Sequence, residues 1–495
     1  MTEMRMRRSG STLVLFALVS VLSLGWTLSM RVDASSAQNP PAAEAQNVRL
    51  VGYHDLQGRE SLQVTTKSDA ANGDWVYVGH SDNYWGEPQH LNPITNRMEW
   101  NGTSILEISD PANPKLVWHI PNDVSANSRS VSVVYDYQFD SNPPGRDYLV
   151  RSMHASDDSV MKFQIFDITS RDSDPSRISL VSEITGTPEN SCGPGCGGPF
   201  TIRSHKGWWS QEGGLFYAST AEPGFRQAIL QIWDLKDPKN PRFVSRAWLP
   251  GQKDGEPEMH PSLGRFHHPI VDEQNHRVYG GYRHGSGDAA AFDISDPANP
   301  KLVWRVDTAP PGRGPHTVSP IVYQDVPNFG PGALPRTYAL VVDEASGGPD
   351  VAPCPEPVRA KLYMFDITHE AYPFPVSTWQ VPVGGFCQKG GRFGPHQSAE
   401  TVNGRLNRFE DKLAWIAYFN AGVRVLDISD PYNLKEVGYY IPETNENSHP
   451  LLEGQPIAIQ INDVDIDHRG LVYASDRIGT GLFILEYTGS RVTSR

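Results

Sequence analysis

The sequence predicts an all-β fold made from seven copies of one four-stranded unit. A turn motif recurs along the chain, and two copies share the eleven residues ISDPANPKLVW, at 108–118 and 294–304. Short runs rich in Val, Tyr and Ala precede each copy, and Gly, Pro, Asn and Asp turns separate them. A repeat of roughly 50 to 60 residues marks an array of one supersecondary unit. Four short strands per unit are typical of a β-propeller blade.

Five weaker copies of the motif complete the series. They begin at Ile165, Ile232, Met364, Val425 and Leu482. In the sequence Asp-Pro-x-Asn-Pro, the prolines fix φ and cannot donate to a strand ladder, so the motif must leave one strand and start the next. We therefore place it between the third and the outermost strand of each blade.

The last unit has no outermost strand of its own, because the chain ends soon after Leu485. The segment 47–53, NVRLVGY, resembles the outermost strands of the other units and lies just before the first unit. We expect this segment to complete the seventh blade and to close the ring, which removes open sheet edges. The predicted propeller then covers residues 47–487, and residues 488–495 form a tail.

The ISDPANPKLV segments resemble those of LVIVD-repeat proteins, a family of exported bacterial and archaeal propellers. The resemblance covers most of residues 47–487. It implies the architecture and says little about activity, because one ring hosts many functions.

The first 46 residues have the pattern of an export signal and a linker. Arg5, Arg7 and Arg8 precede an apolar run over about residues 12–30, and small residues follow up to Ala37. We assign residues 1–37 to a secretory signal and 38–46 to a linker. An uncleaved membrane anchor is the alternative, since the run is long enough to span a bilayer. In both cases we expect the propeller in the periplasm or at the cell surface.

The charge and the cysteines limit the partners and the compartment. A formal net charge of −14 argues against nucleic acid as a partner. The sequence names no protein partner. Four cysteines fit an oxidising compartment, and adjacency favours a bridge between Cys354 and Cys387, which leaves Cys192 with Cys196. The alternative for Cys192 and Cys196 is a redox pair or a thiolate metal site.

Histidines recur at one place in four consecutive units. His205 and His268 each lie ten residues before the first apolar residue of the second strand, and His316 and His396 open the corresponding strands of the next two units. Because innermost strands line the channel of a propeller, these four imidazoles would surround the axis as ligands of a transition metal, copper or iron. The alternative is a structural histidine that bonds to a neighbouring blade. We expect His267 to point away from the axis, because side chains alternate along a strand.

The loops between second and third strands would lie at the same mouth of the channel. Among their residues we predict Glu222, Glu344 and His284 as catalytic residues that orient the ligands or act as acid and base. A solvated loop residue is the alternative for each. Three further loop residues are His154, Asn420 and Asp476.

The arrangement resembles two other propeller families, although their longer sequence signatures are absent. Carotenoid cleavage oxygenases hold iron with four axial histidines, and the selenium-binding and methanethiol oxidase proteins are metal-dependent propellers. The resemblance implies a metal-dependent oxidase or oxygenase of a small organic or sulfur-containing molecule. The competing hypothesis is a periplasmic or cell-surface interaction module that binds a protein or a glycan and uses its histidines only structurally.

Overall fold

The computed structural model consists almost entirely of β-strands. It describes residues 39–490 except 82–88, 140–143, 156–160, 187–202, 258–263, 284–286, 309–313, 330–333, 346–349 and 355–357. All of these residues belong to the second of two compact units, Ala34–Arg495. The helical segments of this part are one short α-helix, Phe386–Lys389, and the 3-10 turns Leu56–Gly58, Pro175–Arg177 and Pro327–Phe329. None of them is long and apolar enough to cross a membrane.

Five antiparallel sheets follow one another along the chain, and each takes its strands from one repeat unit. Sheet 1 contains Ser61–Asp69, Gly73–His80, Gly102–Glu107 and Lys115–Pro121. Sheet 2 contains Val131–Val134, Tyr148–His154, Met161–Asp167 and Ser179–Ile184. Sheet 3 contains Arg203–Trp209, Leu215–Ala221, Ile229–Asp234 and Arg242–Ala247. Sheet 4 contains Arg265–Phe266, Ile270–Asp272, Arg277–Arg283, Asp288–Asp293 and Lys301–Asp307. Sheet 5 contains Pro315–Tyr323, Arg336–Asp343, Leu362–Asp366 and Phe374–Trp379.

Sheet 6 joins the last two repeat units into eleven strands. The first of these units supplies Phe393–Ser398, Leu413–Phe419, Val423–Asp427 and Lys435–Pro442, with the short strands Thr401–Val402 and Arg405–Leu406. The second supplies Ile461–Ile466, Val472–Asp476 and Leu482–Tyr487. Two residue pairs, Phe419 with Ile461 and Val402 with Ile466, join the two units. A separate hairpin, Gln89–Asn92 with Arg97–Trp100, lies in the long loop of sheet 1.

Two strands from the start of the described chain complete sheet 6. Val48–His54 pairs antiparallel with Leu482–Tyr487, and Ala43–Gln46 pairs antiparallel with Lys435–Pro442. The second pairing differs from our expectation of a linker over 38–46. The reason is that the outer edge of Lys435–Pro442 has unpaired backbone groups, which an adjacent extended segment satisfies.

Apolar side chains between neighbouring sheets form the core. Ile232 of sheet 3, Phe292 of sheet 4 and Val341 of sheet 5 are almost inaccessible to solvent and belong to one cluster. The predicted disulfide between Cys354 and Cys387 is present and links the long loop of sheet 5 to the helix that precedes sheet 6. Cys192 and Cys196 lie outside the described residues.

The first strands of successive sheets are neighbours. Thr65 Oγ1 donates to Val131 O at 2.8 Å, which joins sheets 1 and 2, and Gly207 N donates to Ser130 Oγ at 2.9 Å, which joins sheets 2 and 3. Val64 N donates to Asp463 Oδ2 at 2.9 Å, between sheet 1 and sheet 6. The fold is therefore β-propeller-like, and equivalent positions on the first strands converge.

Candidate metal centre

Four histidines from four consecutive repeat units form one continuous row. The ring centroids of His205 and His267 are 4.3 Å apart, those of His267 and His316 are 4.2 Å apart, and those of His316 and His396 are 4.1 Å apart. The Nε2 atoms of His205 and His267 are 2.7 Å apart, within hydrogen-bond distance of each other. Two imidazole nitrogens that share a metal at about 2.0–2.1 Å lie roughly 3 Å apart, so this spacing is close to that of two ligands of one ion.

An irregularity of the strand register occurs where each histidine is located. The pairing with the second strand shifts between Ser204 and Gly207, between Pro315 and Thr317, and between Phe393 and Gln397. Each of these intervals contains one histidine of the row. Bulges leave a residue unpaired and re-aim its side chain. The backbone therefore directs His205, His316 and His396 out of the regular pleat.

The structure brings His267 into the row and places the predicted ligand His268 in a second candidate group, with His316 and Glu400. His267, which we expected to point away from the axis, belongs to the row, whereas His268 faces Glu400, with 3.1 Å between His268 Nδ1 and Glu400 Oε1. The physical reason is the register of sheet 4. Phe266 pairs with Tyr282 but Ile270 pairs with Tyr279, so the first strand has one extra residue and the alternation of side chains is broken.

The imidazoles of the row are neutral. Burial lowers the pKa of His205, His267, His316 and His396 well below its ordinary value, and neighbouring positive groups lower it further. Neutral imidazole is the form that binds a metal. The row therefore needs no deprotonation at neutral pH before it accepts an ion.

The hydrogen bonds of His396 and His316 show which of their ring nitrogens are free to bind a metal. The Nδ1 of His396 bonds to the backbone oxygen of Asn462, so Nδ1 carries the proton and Nε2 is left as a free lone pair. His316 is 0% exposed, and neither of its ring nitrogens has a hydrogen-bond partner among the described residues. A buried polar atom without a partner costs about 1–3 kcal/mol, so His316 has unfavourable surroundings unless something binds it.

Glu344 lies beside the row. Its Oε2 is 3.9 Å from His267 Nε2 and 3.7 Å from His396 Nε2, and its side chain is 1% exposed. Glu344, His267 and His316 each offer an atom within 4.8 Å of the other two. Burial raises the pKa of Glu344, but the guanidinium groups of Arg283 and Arg392 outweigh burial and lower this pKa to about 2. Glu344 is thus an anion, which suits the stabilisation of a bound cation better than the donation of a proton.

A second group of ligand atoms shares His316. It consists of His268, His316 and Glu400, and their candidate atoms also lie within 4.8 Å of one another. Burial raises the pKa of Glu400 to about 8, although the charge of Lys206 opposes this shift. A largely protonated carboxyl is a poorer metal ligand than an anion. The group of His267, His316 and Glu344 is therefore the better candidate.

The other predicted site residues have structural partners or lie outside the described part. Glu222 Oε1 is 2.7 Å from Arg246 Nε, and Glu222 Oε2 accepts a hydrogen bond from Gln231 at 2.6 Å, so its carboxylate is held within sheet 3. The catalytic role of Glu222 stays a prediction. Asn420 donates to the backbone of Phe386 and Gly390. The backbone oxygen of His154 accepts from Asn127, and His284 lies outside the described residues.

Sequence reasoning missed several residues of this region. We expected His267 to point away from the axis, because side chains alternate in a regular pleat. Glu400 lies in the same GPHQSAE segment as His396, so its distance of four residues from a predicted ligand was a usable signal. Arg283 and Arg392 contact Glu344, and only their position next to the predicted loops hinted at this.

Comparison with known proteins supports the repeat architecture. The family model of the LVIVD repeat matches residues 98–120, 287–308 and 410–441. The chain contains LVIVD repeats. Each matched segment includes a third or fourth strand of a sheet, which agrees with our placement of the turn motif. No curated protein matches the sequence.

Several solved structures align with most of the LVIVD-repeat chain at low identity. A periplasmic gluconolactonase from Pseudomonas aeruginosa is 12% identical, over 90% of this chain and 100% of that one, with a TM-score of 0.43. A hypothetical selenium-binding protein from Sulfolobus tokodaii is 12% identical, over 90% and 84%, with a TM-score of 0.46. A putative 6-phosphogluconolactonase from Bacteroides fragilis is 10% identical, over 80% and 95%, with a TM-score of 0.44.

Proposed function

We propose that the chain is an exported, seven-bladed propeller that binds one transition-metal ion through His205, His267, His316 and His396. In this proposal the ion serves the oxidation of a small organic or sulfur-containing molecule. The observation that carries the metal proposal is His316, whose two buried ring nitrogens have no hydrogen-bond partner among the described residues while imidazoles flank it on both sides.

The donor set favours particular metals. Imidazole suits copper, iron, nickel and zinc, whereas calcium and magnesium prefer oxygen ligands. Zinc has no redox chemistry, so copper and iron are the ions that serve an oxidation. Four protein ligands leave one or two positions open on either ion for a substrate. Glu344, an anion next to two ligands, would offset part of the positive charge of the ion.

Two features support the seven-bladed arrangement. Seven repeat units each supply an innermost strand, and Val48–His54 pairs with Leu482–Tyr487 as the fourth strand of the last unit. Deletion of residues 47–54 exposes an edge of sheet 6, so we expect an aggregation-prone protein with a melting temperature lower by 10 °C or more. A deletion variant that stays monomeric and melts like the full chain would rule out the closed ring.

Export is supported by two independent features. The N-terminal residues have the charge and hydrophobicity pattern of a secretory signal. The Cys354–Cys387 disulfide is a bond that persists in oxidising compartments. Whether the signal is cleaved near Ala37 is a question for N-terminal sequencing of the protein recovered from the periplasm.

The metal proposal is tested by elemental analysis and reloading. The full chain is treated with a chelator, reloaded separately with Cu(II), Fe(II) or Zn(II), and analysed for bound metal by inductively coupled plasma mass spectrometry. We expect about one copper or iron per chain. The variant His267→Asn should lose most of it, and the control variant His468→Asn, which changes a half-exposed histidine of sheet 6, should keep it.

The reaction class is tested with the same samples. Oxygen consumption is followed with small thiols and small aromatic compounds as candidate substrates, in metal-loaded and chelator-treated protein. A turnover that requires metal and disappears in His267→Asn supports the oxidase proposal. A protein that binds no metal under any loading condition, with unchanged melting in chelator, would favour an interaction module instead.

A further inference from the structure

Two guanidinium groups contact one carboxylate beside the histidine row. Arg283 Nε lies 2.6 Å from Glu344 Oε2, and Arg392 Nη1 lies 3.1 Å from Glu344 Oε1. One carboxylate thus contacts two guanidinium groups and neutralises only one of them. The second guanidinium charge attracts an anion that comes close to Glu344 and the histidine row.

Both arginines keep hydrogen-bond donors that no group of the described residues uses. A guanidinium has five N–H donors. The described part of the chain engages Nε of Arg283 and Nη1 of Arg392, and it provides no partner for the other nitrogens of these two side chains. Their side chains are 13% and 22% exposed, so solvent reaches them. A bound oxyanion would satisfy these donors in the forked geometry that arginine favours.

Phe419 fixes the position of Arg392 relative to the row. The Arg392 guanidinium lies 5.4 Å from the centroid of the Phe419 ring, and the His396 ring lies 5.1 Å from the same ring. Arg477 approaches Phe419 from the last repeat unit, at 5.5 Å. Phe419 is fully buried and has a φ of 39°, a left-handed conformation that is strained for an aromatic residue. The chain thus tolerates strain where it holds two arginines next to a predicted ligand.

Asp476, which precedes Arg477 in sequence, directs its carboxylate at backbone groups. Its oxygens accept hydrogen bonds from the backbone N–H groups of Gln460, Ile478 and Thr480 at 2.7, 3.0 and 2.9 Å. These backbone groups therefore hold the carboxylate of Asp476. Glu222, on another loop, is paired with Arg246.

We infer that Arg283 and Arg392, held on Glu344, bind an oxyanion group, and that the substrate of the metal site is a small anion. This inference rests on the proposed function. A carboxylate, a sulfate or sulfonate, and a phosphate all offer two oxygens to a guanidinium fork. The anionic group would sit on the arginines while another part of the same molecule reaches the ion held by His267, His316 and His396.

The inference is tested by titrating simple anions into the full chain. Sodium acetate, sulfate and phosphate are each titrated calorimetrically into metal-loaded protein at constant ionic strength, with chloride as the balancing anion. We expect saturable binding of at least one of them. The variant Arg392→Gln should weaken it at least tenfold, Arg392→Lys should weaken it less, and Arg242→Gln should leave it unchanged. Arg242 is a suitable control because it is a surface arginine that is paired with a single carboxylate, Asp234.

Metal content is measured on every sample, which separates the two claims. Metal-loaded protein that binds none of the three anions, or binds them equally well in Arg392→Gln, overturns the anion inference and leaves the metal site intact. Protein that never retains a metal overturns the proposed function, and the substrate inference falls with it. Circular dichroism of Arg392→Gln verifies that the variant is folded, and Arg392→Lys provides the comparison if it is not.

Discussion

His316 connects the two halves of the histidine row, with imidazole rings on two sides and the carboxylates of Glu344 and Glu400 nearby. Its ring contacts the rings of His267 and His396, and neither nitrogen finds a protein donor or acceptor among the described residues. Replacing an unsatisfied buried polar group by an apolar group of similar size is close to neutral for stability. The metal-free and metal-loaded proteins should therefore respond differently to a change at this residue.

The variant His316→Leu makes this difference measurable. In chelator, we expect its melting temperature to equal or exceed that of the unmodified chain, because an unsatisfied imidazole is removed. After addition of metal, the unmodified chain should gain thermal stability through binding to the folded state, and the variant should gain little. The measurement is a thermal scan with and without metal. A variant that melts far lower in chelator would instead indicate a structural histidine.

The buried carboxyl of Asp465 should make the free energy of unfolding depend on pH, whether or not a metal is bound. Burial raises its pKa to about 7, against hydrogen bonds from Thr401 and Thr66. Because the folded chain holds the proton more tightly than the unfolded chain, this residue stabilises the fold below pH 4. That stabilisation is lost as the pH rises to 7, by at most about 1.4 kcal/mol per pH unit.

The variant Asp465→Asn isolates this contribution. An amide in this place can accept from Thr66 and donate to Thr401, so the hydrogen bonds remain. Urea denaturation at several pH values between 4.5 and 7.5 gives the free energy of unfolding. We expect it to fall less steeply with pH in the variant than in the unmodified chain. Equal slopes would show that Asp465 is ionised throughout this range.

At the scale of strands, the sequence predicted which segments carry the site but not how they present it. The position of His205 on an innermost strand followed from counting residues within the repeat, and those of His316 and His396 followed from their place at the start of the corresponding strands. The choice between His267 and His268 did not, because one extra residue between Phe266 and Ile270 reverses the side-chain alternation. A bulge has no reliable sequence pattern here, since it depends on how two strands pair in space.

The loops show a similar limit. Glu344, which we predicted as an acid or base, lies next to the row, but two arginines hold it as an anion. Glu222, at the equivalent place in another unit, is paired with Arg246 instead. Equivalent loop positions in a repeat thus have different partners, and those partners come from distant parts of the sequence.

The disulfide stabilises the fold by connecting two elements that are distant in sequence. Cys354 and Cys387 are 33 residues apart in sequence and tie sheet 5 to the helix before sheet 6. Such a cross-link typically contributes about 2–4 kcal/mol by restricting the unfolded chain. We expect Cys354→Ser to lower the free energy of unfolding by this amount. Dithiothreitol should destabilise the unmodified chain more than the variant; an equal effect of the reductant on both proteins would contradict this.

Gly52 tests how closely the strand Val48–His54 packs against its neighbour. A Cβ at this position would lie 1.9 Å from the backbone oxygen of Pro111, in the turn motif of sheet 1. The strand or the turn would have to shift, so we expect Gly52→Ala to destabilise the chain by about 1–3 kcal/mol. Gly385→Ala is the matched control, because no atom lies within 4 Å of its added Cβ. Equal stability of the two variants in urea would contradict this packing.

At the scale of the whole molecule, repetition made the fold predictable. Two identical eleven-residue segments and their weaker copies mark the same strand-turn-strand place in each unit, and the structure has strands on both sides of them. The site is harder to predict because it is formed where units differ. Asn462 stands in the last unit where four earlier units have a histidine, and it supplies a backbone oxygen to His396.

The histidine row is tested most directly by locating the ion in a crystal of the metal-loaded chain. Diffraction data collected on both sides of the absorption edge of the loaded metal give an anomalous difference map. We predict one strong peak bounded by the rings of His205, His267, His316 and His396, within about 2.5 Å of at least three of their nitrogens. A fully loaded protein with its peak elsewhere, or with intact rings and no peak among them, would contradict the account.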